Sequence, residues 1–249
     1  MIFATGDCHG DFQRFGSKHF PQQRQMGRDD YMIILGDFGG VWNGSSEERK
    51  RLDWLNEKPF TTLFVSGNHE NYWMLRELPV EDWHGDRVQR VRPNILHLMR
   101  GQLYDIGGRT FFSMGGAASH DVEDGILDQN DPDFRTRYLH LLLEGRRRFR
   151  IIGKSWWPEE LPSDEEYAAA LDALERAGWK ADYVLTHCAP TSIARQMNRH
   201  YQPDKLTDFL ETVEQRLEFS CWLFGHYHAN RAIDKKHILL YEDIIQLTE

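Results

Sequence analysis

The chain has 249 residues, 40% of them apolar, with eight Trp, fourteen Phe and a net charge of −9. That length holds one substantial core rather than two small ones, and the aromatic content excludes a disordered chain. The negative balance excludes a large nucleic-acid footprint, which needs clustered Lys and Arg, but admits a small phosphorylated substrate if bound cations supply positive charge locally.

Ile2 to Ala4 is predicted as a short strand, and Phe12 to His19 as a short helix. Tyr31 to Leu35 is a continuous apolar run ending in Gly36, the pattern of a strand buried on both faces. A helix is expected over Ser45 to Lys58, with Ser45 and Glu48 as a capping box, and a strand over Thr61 to Val65. Three short strands follow at Ile95–Leu98, Leu103–Ile106 and Thr110–Met114, the last two joined at Gly107-Gly108. Acidic Asp121 to Asp133 reads as a loop and Phe134 to Ile152 as a helix carrying Arg146, Arg147, Arg148 and Arg150; the stretch 120–157 reads as a helical cap-like insertion. Beyond it come helices at Ser163–Ala177, with Ser163 and Glu166 as another capping box, Ser192–Arg199 and Lys205–Leu217. Strands are expected at Tyr183–Leu185, Cys221–Phe224, Ile238–Tyr241 and Ile244–Leu247. Strand–helix alternation early and hairpins late favour an α/β sandwich of mixed sheets over a doubly wound sheet.

Five segments carry the chemistry: Gly6-Asp7-Cys8-His9-Gly10, Gly36-Asp37-Phe38-Gly39, Gly67-Asn68-His69-Glu70, Thr186-His187 and Gly225-His226-Tyr227-His228. Each follows a short β-prone run, where open α/β sheets place their sites. Carboxylate, amide and imidazole groups mixed in this way suit Mn²⁺, Fe or Zn²⁺ better than Ca²⁺. Asp7 and His9 can converge on one ion, and Asp37, ending a buried strand, is the best bridging carboxylate. Cys8 and Cys188 adjoin candidate ligands but read as buried packing, as do the unmatched His97, His120, His140, His200 and His237 as packing or surface groups. An odd, sparse set of three cysteines suggests a reducing compartment. There is no run of about 20 apolar residues, and the first motif leaves no room for a signal peptide. A cytoplasmic protein with no membrane partner is expected.

The ordered series resembles the calcineurin-like metallophosphoesterase superfamily, over Gly6 to His228. The resemblance implies a single domain over 1–249, built as two packed mixed sheets flanked by helices. It implies two divalent metal ions, the first held by Asp7, His9, Asp37 and His228, the second by Asp37, Asn68, His187 and His226, with Asp37 bridging. A hydroxide between them would attack phosphorus in line. His69 would sit over the phosphate, stabilising charge or protonating the leaving oxygen, with Asn68 also touching substrate. Glu70 would orient His69 or the neighbouring loop.

Protein serine/threonine phosphatases continue the second motif to an Arg that clamps phosphate; here it reads Gly39-Gly40-Val41-Trp42. Arg150 precedes Gly153-Lys154-Ser155-Trp156-Trp157, which resembles a segment of bacterial and phage metallophosphoesterases, and it is the candidate replacement clamp. Gly115 to Ser119 could turn backbone N–H groups toward a phosphate or be a plain turn. The expected function is phosphate mono- or diester hydrolysis on a nucleotide-sized substrate. Phosphoprotein phosphatase, nuclease and inactive scaffold are the alternatives, the last disfavoured because all seven ligand positions and His69 are present.

Overall fold

The computed structural model describes residues 1–248. Strands β1 (Ile2–Thr5), β2 (Tyr31–Leu35) and β3 (Thr61–Val65) lie side by side in parallel. Alternate side chains go to opposite faces, so Ile33, Leu35, Leu63 and Val65 enter the core between two sheets. Met32, Ile34 and Phe64 pack outward on Phe15, Phe20 and Phe60, together with Leu52 and Leu55 of helix α1 (Ser46–Asn56). Both faces of these strands are dry, which is why they read as unbroken apolar runs. The Phe12–His19 helix is reduced to a single turn at Gln13–Phe15.

Only half of the predicted capping box at α1 forms. Ser45 accepts from the Glu48 N–H at 3.2 Å. The Glu48 carboxylate turns instead to the N–H groups of Trp42, Asn43 and Gly44, at 3.1, 2.7 and 3.1 Å. Helix α2 (Tyr72–Arg76) and the hairpin of β4 (Val80–Trp83) and β5 (Asp86–Arg92) are absent from the sequence expectation. The hairpin turns through His84 and Gly85, at φ of 48° and 96°, as the primed two-residue turns require. The hairpin adds to β6 (Ile95–Leu98), which runs parallel to β3.

Strands β7 (Gln102–Ile106) and β8 (Arg109–Met114) open the second sheet as a hairpin. The insertion then holds β9 (Gly125–Leu127), helix α3 (Phe134–Leu143) and β10 (Phe149–Ile151), with β9 and β10 parallel. The helix therefore stops short of the predicted Ile152. Gly145, at φ 74°, ends it: its N–H reaches the Leu142 carbonyl and that of Arg146 the Leu141 carbonyl.

Helix α4 (Asp164–Arg176) has the capping box predicted from Ser163 and Glu166. It leads to β11 (Tyr183–Thr186), helices α5 (Thr191–Met197) and α6 (Lys205–Arg216), and β12 (Cys221–Phe224). Strands β13 (Arg231–Ala232) and β14 (His237–Leu239) finish that sheet, and β15 (Ile245–Thr248) returns to pair antiparallel with β1.

The outcome is a seven-stranded sheet in the order β15-β1-β2-β3-β6-β5-β4 facing a six-stranded sheet in the order β13-β14-β12-β11-β8-β7. Tyr104, Ile106, Phe111, Leu185 and Leu223 of the second sheet complete the core between them. Residues of α4, α5 and α6 pack with Phe112, Val184, Trp222 and Phe224 on the outer side. This is the two-sheet α/β sandwich expected from the sequence. Among the described residues, no helix is long and apolar enough to cross a membrane.

Leu55 is fully buried where α1 meets the first sheet. Its replacement by Ala should cost about 2–5 kcal/mol in urea unfolding while leaving turnover per folded molecule unchanged.

Candidate metal centre

Five parallel strands deliver the motif residues. Asp7 and His9 follow β1, Asp37 follows β2, Asn68 and His69 follow β3, His187 follows β11, and His226 and His228 follow β12. The loops are laced together by their backbones. The N–H groups of Cys8 and His9 donate to the Asp37 carbonyl at 3.1 and 2.7 Å, and that of Gly225 to the His187 carbonyl at 3.0 Å. The Arg14 guanidinium holds the Asp7 carbonyl at 2.7 Å and Thr5 Oγ1 at 2.9 Å. Glu70 is wholly buried, and its carboxylate accepts from Phe38 N–H at 2.7 Å. It therefore clamps the loop beside Asp37.

Four of the motif residues sit in the left-handed region: His9 at φ 48°, Asp37 at 44°, His226 at 72° and His228 at 48°. Non-glycine residues occupy that region at a cost and only where the surroundings dictate it. The glycines leave room for the ligands. A Cβ on Gly67 would lie 2.1 Å from Asp37 Oδ1, and one on Gly36 would lie 2.1 Å from His187 Nδ1.

The floor of the site is acidic and dry, with Asp7 and Asp37 each 1% exposed. His187 is fully buried and its Nδ1 donates to the Leu35 carbonyl at 2.7 Å, which aims Nε2 into the cluster. That Nε2 stands 3.3 Å from Asp37 Oδ1 and 3.2 Å from Asn68 Oδ1. Asp37 Oδ1 also accepts the His69 N–H at 2.8 Å, and its Oδ2 faces His9 Nδ1 at 3.8 Å. Across the site, Asp7 Oδ1 accepts the His226 N–H at 3.0 Å. The rim is formed by exposed His9 and His228, whose Nε2 atoms are 3.3 Å apart. The His226 ring packs on His187, with centroids 5.0 Å apart.

Two sets of donor atoms come together within 4.8 Å: Asp7, His9 and His228, and Asp7, Asp37 and His187. Asp7 Oδ2 has no aligned hydrogen-bond donor although buried, while His228 Nε2 lies 3.1 Å from it. A buried carboxylate oxygen without a donor, ringed by imidazole nitrogens, fits a divalent ion.

The charges respond accordingly. Burial opposes ionisation of Asp37, but the facing His187 outweighs it and holds the carboxyl far below the usual range. Burial likewise opposes a charge on His187, yet Asp37 and Asp7 push it up to about 9. Burial, with the His187 charge, pushes His226 down to about 3. Burial and the charge of Asp37 push Glu70 up to about 8. His69 is lowered, chiefly by burial, with Arg150 and His9 adding to the effect.

Arg150 stands on β10 beside the site, and its guanidinium pairs with both oxygens of Asp121. Its neighbours in the Arg run are exposed, with Arg146 paired to Glu144 at 3.2 Å and Arg148 to Glu123 at 2.7 Å. Two of the five amides of Gly115 to Ser119 are taken up within the protein. The Gly116 N–H donates to the Ser66 carbonyl at 2.7 Å and that of Ser119 to Glu160 at 2.9 Å. Trp157 is buried packing, against Trp42 at 5.0 Å between centroids. Cys8 and Cys188 are buried, and burial pushes the Cys8 thiol up to about 12. His120, read from the sequence as a packing or surface group, packs on His226 with centroids 5.3 Å apart, while sequence reasoning passed over Arg14, Glu160 and the side-chain role of Ser119. No local pattern marks the Ser119–Glu160 contact, because the two lie 41 residues apart.

The family model for calcineurin-like phosphoesterases matches residues 1–230, and the chain belongs to that family of metal-dependent phosphoric ester hydrolases. It is similar to the lariat debranching enzymes of Mus musculus and Homo sapiens, each 22% identical over 95% of this chain and 43% of the relative. The lariat debranching enzyme of Schizosaccharomyces pombe is 34% identical over 47% of this chain and 26% of its own length. The chain thus spans less than half the length of these relatives.

A metal ion held by His187 would need its neutral imidazole, and binding would therefore have to displace a proton. A pKa raised from 6.5 to about 9 stabilises the folded metal-free protein fully below pH 6.5, and that contribution fades as pH rises through 9. Urea unfolding of chelated protein should show stability falling across this window. Metal-loaded protein should not show that decline.

Proposed function

We propose that this chain is a dinuclear metal-dependent phosphodiesterase acting on a nucleotide-sized diester. The observation that carries the reading is the pair of clefts meeting at His9. One, of about 660 Å³, runs past Arg14, Phe20 and Tyr241; the other, of about 270 Å³, runs past Trp42, Arg51 and His69. A monoester carries one organic group on phosphorus and needs one such cleft, whereas a diester carries two. Trp42 offers the smaller cleft an aromatic face on which a base could stack.

Asp7, His9, Asp37 and His228 would hold the first ion, and Asp37, Asn68, His187 and His226 the second. Mn²⁺ suits the donor set first, with Fe or Zn²⁺ also compatible. When bound, such ions activate a water and neutralise phosphate charge. The chain's own groups do the rest. His69, fixed through its backbone to Asp37 and lining the smaller cleft, donates a ring N–H to the oxygen that departs. Arg150, close enough to lower the His69 pKa by its charge, is the phosphate contact contributed by the insertion, and a phosphate there competes with Asp121. The whole of 1–249 acts as one catalytic domain with 120–157 as its cap.

The lariat debranching relatives also favour a diester, and a lariat-type substrate is the second reading. The charge of −9 and the paired Arg146 and Arg148 argue against a long phosphate track.

The deciding assay compares bis-p-nitrophenyl phosphate with p-nitrophenyl phosphate on chelated protein reloaded with Mn²⁺. Diester turnover should be the faster, and Asp37→Asn should abolish it while leaving a folded chain. Faster monoester turnover would sink the diester reading. His69→Gln should bind metal as wild type and slow the reaction by about 10²–10⁴-fold, most for poor leaving groups. Lost metal in that variant would instead make His69 a ligand.

A further inference from the structure

The insertion is pinned at both roots by a hydrogen-bond chain that ends on Asn68. Ser119 immediately precedes the stretch 120–157, and Glu160 closes the turn Pro158–Glu160 that follows it. Both are buried, at 9% and 5% exposure. The Ser119 N–H donates to Glu160 Oε1 at 2.9 Å and its hydroxyl to Oε2 at 2.6 Å. Asn68 Nδ2 donates to Ser119 Oγ at 3.3 Å, while Asn68 Oδ1 lies 3.2 Å from His187 Nε2.

The polarity of this relay follows from its end. An ionised carboxylate only accepts, so the hydroxyl must donate to it and keeps only lone pairs for Asn68. Asn68 therefore turns its NH₂ to Ser119 and its carbonyl oxygen to the cluster. Only the oxygen can ligate a metal, and an amide without such a partner can turn over and present nitrogen instead.

A second set of contacts fixes the same two segments. Arg100 Nη2 contacts the Glu160 carbonyl at 3.1 Å and the Tyr72 hydroxyl at 2.7 Å. That hydroxyl donates to the Gly67 carbonyl at 2.6 Å, one residue before Asn68. The Arg100 side chain is 4% exposed. The root of the insertion and the Asn68 loop thus share one buried guanidinium.

We propose that Ser119 and Glu160 are positioning residues for the second metal ion, holding Asn68 with its oxygen inward and tying that ion's affinity to the seating of the insertion. The proposal deepens the dinuclear reading and rests on it. Glu160→Gln is the sharp variant, because its amide can donate to Ser119 and so reverse the relay without changing shape.

The test is calorimetric titration of chelated full-length chain with Mn²⁺ alone. Wild type should take up two ions. Ser119→Ala and Glu160→Gln should bind the first ion as wild type and the second about 10–100-fold more weakly. Ser119→Thr, which keeps the hydroxyl, should retain wild-type affinity. Unchanged affinities in Ser119→Ala and Glu160→Gln would overturn the proposal. So would an equal loss in Ser119→Thr, since that points to packing. A wild-type chain that takes up fewer than two ions overturns the dinuclear reading, and the positioning proposal with it, before any variant is needed.

Discussion

The architecture turns on one buried negative charge. Asp37 lies 1% exposed at the seam of two sheets, in a strained left-handed conformation, with a second buried acid, Asp7, close by. Burying an ionised carboxylate costs several kcal/mol unless opposite charge and donors compensate. The compensation comes from every side: the His69 N–H, the His187 ring across the sandwich, and His9 from the neighbouring strand end. The strain is held by packing. Phe38, the next residue, is buried and stacks on Phe64 at 4.1 Å, and the Glu70 carboxylate holds its N–H.

Much of this was legible because the constraint is local. A buried strand in a parallel sheet is apolar on both faces, so Tyr31–Leu35, Thr61–Val65 and Cys221–Phe224 announce themselves and end within a residue or two of a motif. The α4 capping box was equally plain. What escaped reading depended on partners far along the chain or on single backbone angles. Strand β4, Val80-Glu81-Asp82-Trp83, is a polar edge that exists only because β5 pairs with it. The helix expected through Ile152 ignored Gly145, whose positive φ is what halts α3. The ligand types could be read from the five segments, but the Ser119–Glu160 support could not, since it joins residues 41 positions apart. Arg150 was visible as a cation, but its partner Asp121 was not.

The surface and the site obey different electrostatics. The chain is acidic overall, yet the acids that matter are buried and the imidazoles at the rim are exposed. An anionic substrate would meet a repulsive surface field except where bound metal, as proposed, reversed it. Such a field disfavours long polyanions more than small ones, because repulsion accumulates along the length of the ligand. The insertion pairs its Arg146 and Arg148 with acids, which keeps those two cations from adding to an attractive field.

The closure of the first sheet carries a consequence for how the molecule comes into being. β1, which leads to Asp7 and His9, is paired on one side by β15, and His9 meets His228 across 219 residues of sequence. At roughly 5–20 residues per second, a ribosome needs on the order of ten to forty seconds to make the chain between these two histidines. For most of that interval Asp7 and Asp37 exist without His187, His226 and His228. The edge of the nascent first sheet beside β1 stays open until β15 is made, and the centre can assemble only once the segment holding His187, His226 and His228 has followed. Metal charged into such a site, as proposed, would have to arrive after the last of these histidines rather than with the first acids.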